Sequence, residues 1–289
     1  MKVSGFTFVR NAVKYDYPIV EAIKSILPVC DEFVIAVGNS DDDTLGLIKS
    51  IGSPKIKIIE TIWDDSLREG GKVLAVETDK ALRAISPHSD WAFYIQADEV
   101  FHENDLPKIK EAMQKWKDDK NVQGLLFNHI NFYGTYDYYA DSRKWNKKEV
   151  RVIRNDKSIS SWKDAMSFRQ NGKKLHVKFV DALIYHYGWV KSPIAQQKKR
   201  DSFHKLWHRD ENNKPTIEDQ GFDYSKTDSV ATFKGSHPKV MLERIEKQNW
   251  KFVFDKSKAV KLSFRENILN IIYQKTGIHI GEFKNYIRI

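Results

Sequence analysis

Asp98 and Glu99 close the apolar run Trp91-Ala92-Phe93-Tyr94-Ile95, within the segment Gln96-Ala97-Asp98-Glu99. Neighbouring carboxylates raise one another's pKa, so placing two of them after an apolar strand is costly unless a cation or donor group lies between. Mg2+ or Mn2+ bridging a diphosphate uses one or two carboxylates plus phosphate oxygens, and that is chemistry such a pair can do. The alternative is an exposed acidic loop. A second acidic group, Asp41-Asp42-Asp43, follows the apolar run Phe33 to Val37 and precedes a helical pattern. Acids there can bind a metal or ribose hydroxyls, or can cap the helix, where their charge meets the positive end of the dipole. Aromatic residues crowd Phe127 to Tyr139 and Tyr185 to Trp189. Such clusters can wall a sugar or a nucleotide, or can simply fill a core.

The elements that must position these groups are legible in the first hundred residues. Val3 to Val9, Phe33 to Val37, Ile56 to Ile59 and Trp91 to Ile95 read as strands, the second apolar throughout as a strand buried on both faces is. Between them, Pro18 to Leu27 puts Ile19, Ala22, Ile23, Ile26 and Leu27 on one helical face, and Leu45 to Ile51 and Gly71 to Ile85 are also helical. The order β-α-β-α-β-α-β predicts a mostly parallel sheet covered by helices on both faces. Open α/β sheets bind ligands at the carboxyl ends of their strands. Those ends are Arg10-Asn11, Gly38 to Asp43, the Trp63 to Gly71 loop and Gln96 to Glu99. Beyond residue 100, Leu106 to Trp116 looks helical, while Val122 to Asn128, Glu149 to Ile153 and Ala182 to Tyr187 look like strands. From Ser192 onward helical periodicity dominates, broken by a polar stretch from Asp210 to Lys226. The expectation is an α/β catalytic domain over 1–190 with a mostly helical C-terminal extension over 191–289.

Bulk properties narrow the function classes. The 289 residues are 41% hydrophobic and 30% charged, ordinary for a chain that buries a substantial core. A net charge of +9 raises nucleic acid as a partner, but 48 basic residues are interspersed with 39 acidic ones. The longest basic runs, such as Gln197-Lys198-Lys199-Arg200, are short, so nucleic acid is not expected. A basic surface suits anionic nucleotides and equally the surface of an anionic membrane, which leaves peripheral membrane association open. The single cysteine, Cys30, excludes an intramolecular disulfide and a cysteine-rich zinc site. The start, Met1-Lys2-Val3-Ser4-Gly5-Phe6, runs into a strand pattern unlike a signal peptide, and no apolar stretch approaches the roughly 20 residues that span a bilayer. A cytoplasmic protein is expected.

These motifs, in this order, resemble the family 2 glycosyltransferases of the GT-A fold, a Rossmann-like architecture. Phe6-Thr7-Phe8-Val9-Arg10-Asn11 is similar to the family's opening strand and corner, with Ile26 to Glu32 matching the end of its first helix. Asn39-Ser40-Asp41-Asp42-Asp43-Thr44 is similar to its second-strand turn, Arg68-Glu69-Gly70-Gly71-Lys72 to its Gly-rich loop, and Gln96-Ala97-Asp98-Glu99 to its Asp-x-Asp-Glu signature. The resemblance covers residues 3 to 100 well and weakens toward 190. Two positions depart from it. Gln96 stands where the family has the first Asp, and the acid that usually ends strand two is missing near Val37-Gly38.

The resemblance implies a transferase of hexosyl type that moves a sugar from a nucleotide-diphospho-sugar to a glycan or lipid-linked acceptor, as in polysaccharide biosynthesis, by a metal-assisted, inverting route. It places Arg10 and Asn11 at the nucleoside, Asp42 near the ribose or base, and Arg68 and Lys72 at the diphosphate. Asp98 becomes the surviving ligand of Mn2+ or Mg2+. A late histidine often completes that site, and His186 in Tyr185-His186-Tyr187-Gly188-Trp189 is the match; the alternative is a core histidine bonded to backbone. Inversion needs a general base on the acceptor hydroxyl. Asp164, in Trp162-Lys163-Asp164-Ala165, is the first choice and Asp181 the second. Two other readings stand beside this one. A nucleotidyltransferase shares the layout but would carry glycines directly after the first strand, where Phe8-Val9-Arg10-Asn11-Ala12 has none. A non-catalytic nucleotide- or carbohydrate-binding protein on a degenerate GT-A scaffold would explain Gln96.

Overall fold

The computed structural model describes residues 1–67, 69–207 and 221–289. Its first part alternates β1 (Val3–Val9), α1 (Ile19–Ile26), β2 (Glu32–Gly38), α2 (Thr44–Lys49), β3 (Ile56–Thr61), α3 (Lys72–Arg83) and β4 (Trp91–Tyr94). The strands lie in the order β3-β2-β1-β4 and all pair in parallel, with Phe6 opposite both Val34 and Tyr94. Side chains alternate across this sheet with the period of two that a strand imposes. Phe33, Ile35, Val37, Trp91 and Phe93 point to one face, where they pack with α1 and α2; Phe6, Val34, Ala36, Ala92 and Tyr94 point to the other, against α3. Ile19, Ala22, Ile23 and Ile26 of α1 are wholly buried, and truncating one of these isoleucines to alanine costs about 2–5 kcal/mol. Gly5 is required where it stands, since a Cβ there would come within 2.4 Å of the Phe33 ring.

The second part continues through β5 (Glu99–Phe101), α4 (Leu106–Lys115), β6 (Gly124–Tyr133), β7 (Thr135–Ala140), β8 (Lys148–Arg154), β9 (Ile159–Trp162), β10 (Ser167–Gln170) and β11 (Lys173–Trp189). Helix α4 joins the α1 face through Ile109 and Met113. Here the expectation of a mostly parallel sheet is corrected. Strand β8 pairs antiparallel with β4, β6 antiparallel with β8, and β11 parallel with β6, so the whole sheet is mixed. A mixed sheet has no need of a crossover helix at every step, since antiparallel neighbours can be joined by tight turns.

The chain beyond 190 forms α5 (Pro193–Trp207), β12 (Val230–Thr232), α6 (Leu242–Glu246), α7 (Phe264–Thr276) and β13 (Tyr286–Arg288). It is less helical than its periodicity suggests, because β12 pairs with β7 and β13 with β11. The polar break expected from Asp210 lies largely outside the described residues. The two aromatic stretches resolve mainly as core. Phe132, Tyr136, Tyr185 and Tyr187 pack together with Phe233 and Trp250, and Tyr133 packs with Trp145, Trp189, Tyr224 and Phe252. Helix α7 starts with a capping box between Ser263 and Glu266 and ends at Gly277 in the left-handed conformation. Among the described residues no helix is long and apolar enough to cross a membrane.

Candidate active site

A cleft of about 720 Å³ opens at the carboxyl ends of β1, β2 and β4, where the topology of an open parallel sheet places ligands. Arg10, Asn11, Asp41, Trp63, Gln96, Asp98, Asp164, His186, Trp189 and Lys199 are among its walls. Five of the nine sequence-derived site residues thus meet there: Arg10, Asn11, Asp98, Asp164 and His186. Asp42, Lys72 and Asp181 do not line it, and Arg68 lies outside the described residues.

The β1 corner turns on Asn11, which holds φ 56°, a left-handed conformation that asparagine tolerates better than most residues. Its Oδ1 accepts from the Asp41 amide at 2.7 Å and its Nδ2 donates to the Asp41 carboxylate at 3.4 Å. The three neighbouring acids divide their labour. Asp41 faces the cleft and accepts from Lys14 Nζ at 3.2 Å. Asp42 accepts from the Lys14 and Thr44 amides, at 2.7 and 3.0 Å, and so braces the turn. Asp43 caps α2 through the Gly46 amide. Arg10 donates to the Asn39 carbonyl at 3.1 Å, pairs with Asp65 at 2.9 Å and lies 5.4 Å over the Trp63 ring. Gly38 makes room for that ring, since a Cβ there would meet Trp63 Nε1 at 2.4 Å. Lys72 is exposed at the start of α3.

At the end of β4 the two acids have opposite fates. Glu99 is fully buried and held by Arg151 through two hydrogen bonds of 2.7 Å, with His129 at 3.3 Å. Burial alone would raise its pKa, but Arg151 and His129 hold the carboxyl well below the usual range. It is therefore a permanent anion inside the fold, tying the loop after β4 to β8 and β6. Asp98 sits at the cleft wall. Lys199 Nζ of α5 lies 2.9 Å from its Oδ2 and 3.0 Å from the Gly188 carbonyl, and His186 Nε2 lies 3.6 Å from its Oδ1. Burial opposes ionisation of Asp98 too, and the Lys199 ammonium with His186 overcomes it, so this carboxyl is also held well below the usual range.

His186 is placed by the same network. Asn131 donates from Nδ2 to the Asn146 carbonyl at 2.9 Å, which leaves its Oδ1 to accept from His186 Nδ1 at 2.9 Å. With Nδ1 donating, Nε2 is an acceptor when the His186 ring is neutral, and only the protonated ring turns a second donor toward Asp98 Oδ1. Burial lowers its pKa and Asp98 only partly offsets that. His129 stacks 5.2 Å away at a 30° tilt and connects this network to Glu99.

Asp164 lies at the tip of the β9–β10 hairpin, between Lys163 and Ala165, both with positive φ (55° and 63°). Non-glycine residues in that region carry strain that a surrounding structure must hold in place. Part of that hold is Gln96, whose Nε2 reaches the Ala165 carbonyl at 3.3 Å. The neutral residue in the acidic signature thus acts as a strut between the β4 loop and the hairpin. Partial burial raises the pKa of Asp164. Asp181, by contrast, is exposed at a register shift in β11 and accepts from Asn128 at 3.1 Å.

The fit of Mn2+ or Mg2+ to these residues can be judged from the donor set. Asp98 Oδ1 and His186 Nε2 are spaced closely enough to share a small cation, but hard divalent ions want carboxylates, and Gln96 supplies none. Among the described residues no three His, Cys, Asp or Glu side chains gather to hold a metal ion. Among the described residues, the Asp98 carboxylate that would hold it is already paired with Lys199. A doubly charged ion about 5 Å from an ammonium is repelled by about 7 kcal/mol at an effective dielectric of about 20. The residues present do not fit a divalent cation while Lys199 holds Asp98.

Sequence reasoning missed Lys199, Trp63, Tyr15 and Tyr17, all of which line the cleft. The basic run at Gln197 to Arg200 was the available signal for Lys199, but nothing local to it points at Asp98.

No family model matches the chain, and no curated protein matches it. Among solved structures it is similar to the S. aureus TarS fragment 1–349, at 14% identity and a TM-score of 0.38, covering 71% of this chain and 65% of that one. It is similar to 4-diphosphocytidyl-2C-methyl-D-erythritol synthase of Anaerococcus prevotii, at 12% identity and a TM-score of 0.35, covering 53% and 70%. It is also similar to glucosyl-3-phosphoglycerate synthase of Mycobacterium tuberculosis in complex with Mg2+ and uridine diphosphate, at 19% identity and a TM-score of 0.31, covering 46% and 43%. The chain therefore spans just under two thirds of the TarS fragment. At such low TM-scores these are likenesses alone.

Proposed function

We propose that the cleft binds a nucleotide-diphospho-sugar and transfers its sugar to an acceptor hydroxyl with inversion. The observation that carries this reading is the meeting of a partly desolvated carboxylate, Asp164, with cationic and aromatic groups at the carboxyl ends of parallel strands. In this reading the Trp63 face and the Asn11–Asp41 pair receive the nucleoside. Arg10 and Lys199 face the diphosphate. Asp164 takes the proton of the acceptor hydroxyl as its oxygen bonds to the anomeric carbon, and the bond from that carbon to the β-phosphate oxygen breaks, releasing the nucleoside diphosphate. Asp164 suits the task because desolvation moves a carboxylate's pKa toward that of a working base. Stabilising the leaving diphosphate with preorganised positive groups is where most of the rate gain arises.

A binding-only protein is the second reading, favoured by Gln96, whose amide is engaged by the hairpin carbonyl. Calorimetry with uridine, guanosine, cytidine and adenosine diphosphates and their glucose conjugates, followed by assay of donor hydrolysis, tests both. Binding with turnover supports the transferase, and binding without it the second reading. If none of these nucleotides binds, both fall.

The reading extends to a membrane-bound acceptor. Residues 251–289 carry eight basic side chains against three acidic ones, and expose Val253, Phe264, Ile278 and Phe283 at 60% or more. A segment that exposes basic and apolar groups suits an anionic lipid surface, which would bring the protein to the membrane that carries lipid-linked acceptors.

A further inference from the structure

Asp98 is the position where the family resemblance implies a divalent metal, and the structure gives it a different cation. We infer that Lys199 is the resident cation of this site and that a nucleoside diphosphate binds here without a divalent metal. The inference rests on the reading of the cleft as a nucleotide-diphosphate site.

Three observations converge on it. First, the Lys199 ammonium is fixed, not draped over the surface. Asp98 Oδ2 and the Gly188 carbonyl accept from it at 2.9 and 3.0 Å, and the Tyr17 ring lies 5.1 Å below. Second, the surroundings are shaped for that contact. Gly188 has no room for a side chain, because a Cβ there would come within 2.5 Å of His186 Nε2 and 2.8 Å of Asp98 Oδ2. Third, the second charge that a metal would require is gone, with Gln96 in its place and turned to the Ala165 carbonyl. Losing a carboxylate and gaining an ammonium are changes in the same direction. Each lowers the affinity for a divalent cation, and the ammonium adds a hydrogen-bond donor for phosphate oxygen.

The same geometry predicts what removal of Lys199 does. Asp98 and His186, 3.6 Å apart, would be left as an anionic pair able to take a metal. The test is calorimetry of uridine, guanosine, cytidine and adenosine diphosphates, each titrated into the protein in EDTA and again in Mn2+. At least one diphosphate should bind the parent protein with Kd values within about threefold in the two conditions. Lys199→Ala should weaken that binding by about 10- to 100-fold in EDTA, the worth of a charge-assisted hydrogen bond, and Mn2+ should restore part of it. Lys199→Arg should stay near the parent. Mn2+ electron paramagnetic resonance on the proteins alone should show binding to Lys199→Ala and none to the parent. A parent protein that binds diphosphate only with Mn2+ overturns the inference and leaves the donor-site reading intact. So does unchanged affinity in EDTA for a Lys199→Ala variant with parental melting temperature. If no diphosphate binds in either condition, the donor-site reading fails and takes the inference with it.

Discussion

Asp164 and Asp181 were the two carboxylates proposed for proton transfer, and only Asp164 is in the cleft, on a turn strained at Lys163 and Ala165. A general base contributes typically about 10²- to 10⁴-fold. Asp164→Asn should therefore lower donor turnover by that factor with nucleotide affinity unchanged, while Asp181→Asn stays within a few-fold of the parent. Parental turnover in Asp164→Asn would remove it from the mechanism. Lys191, a residue not foreseen, is fully buried against the Tyr17 ring and donates to the Asp16 carbonyl. Burial, and the Lys199 ammonium beside it, push its pKa down to about 7 from 10.5. An unfolded chain takes up this proton below about 10.5 and the folded one only below about 7. Stability from Lys191 is thus complete above about 10.5 and is lost as pH falls through that window toward 7. Urea unfolding of the parent between pH 7 and 10 should show stability gained with pH relative to Lys191→Met. Parallel profiles for the two proteins would show that Lys191 is charged throughout.

At the scale of elements, the loop after β4 closes on itself through Gln96 and Glu99 and is anchored to β8 by a buried ion pair. Glu99 and Arg151 are almost wholly excluded from solvent, and Arg151 also approaches Glu149 at 3.6 Å. Breaking such a pair by removing one partner leaves an uncompensated buried charge and costs about 3–5 kcal/mol, whereas replacing both by apolar groups is far milder. Arg151→Leu should destabilise by about that amount in urea unfolding, and the Glu99→Leu/Arg151→Leu double variant should recover a good part of it. A double variant as unstable as the single one would mean that Glu99 has a further role in holding His129 and, through Asn131, His186. The hairpin bearing Asp164 depends on the same loop by way of Gln96, so Gln96→Ala should loosen catalysis more than it loosens nucleotide binding.

For the molecule as a whole, the C-terminal residues supply the exposed basic and apolar surface proposed to meet lipid. Strand β13 is stitched to β11, and α7 buries little beyond Asn270 while leaving Phe264, Ile268 and Ile271 exposed. If this face meets anionic lipid, the protein should cosediment with phosphatidylserine vesicles and not with phosphatidylcholine alone. Binding should fall steeply in about 0.5 M salt, where the screening length shrinks below about 5 Å. Phe264→Glu with Phe283→Glu should abolish it with donor binding unchanged. Equal sedimentation with neutral vesicles would argue against a charge-guided surface.

The sequence by itself determined the parallel half of the sheet and the strand ends that carry Arg10, Asn11 and Asp98. Each of these rests on patterns within a few residues: apolar runs of strand length, polar turns after them, helices on a 3.6 period. Tertiary structure decided the rest. In the mixed half, parts of β6, β8 and β11 were legible as strands but their directions were not. The first half of β11 was hidden because it alternates Lys174, His176 and Lys178 with its apolar residues along an irregular strand, and the β9–β10 hairpin has no strong local signal. The division of Asp41, Asp42 and Asp43 among cleft, brace and cap was undecidable from three identical residues, since it depends on which way each side chain leaves the turn. Above all, the charge that meets Asp98 comes from a residue 101 positions away in another element. Coulomb energy and desolvation depend on distance through space and on the exclusion of water, neither of which a linear pattern of residue types records.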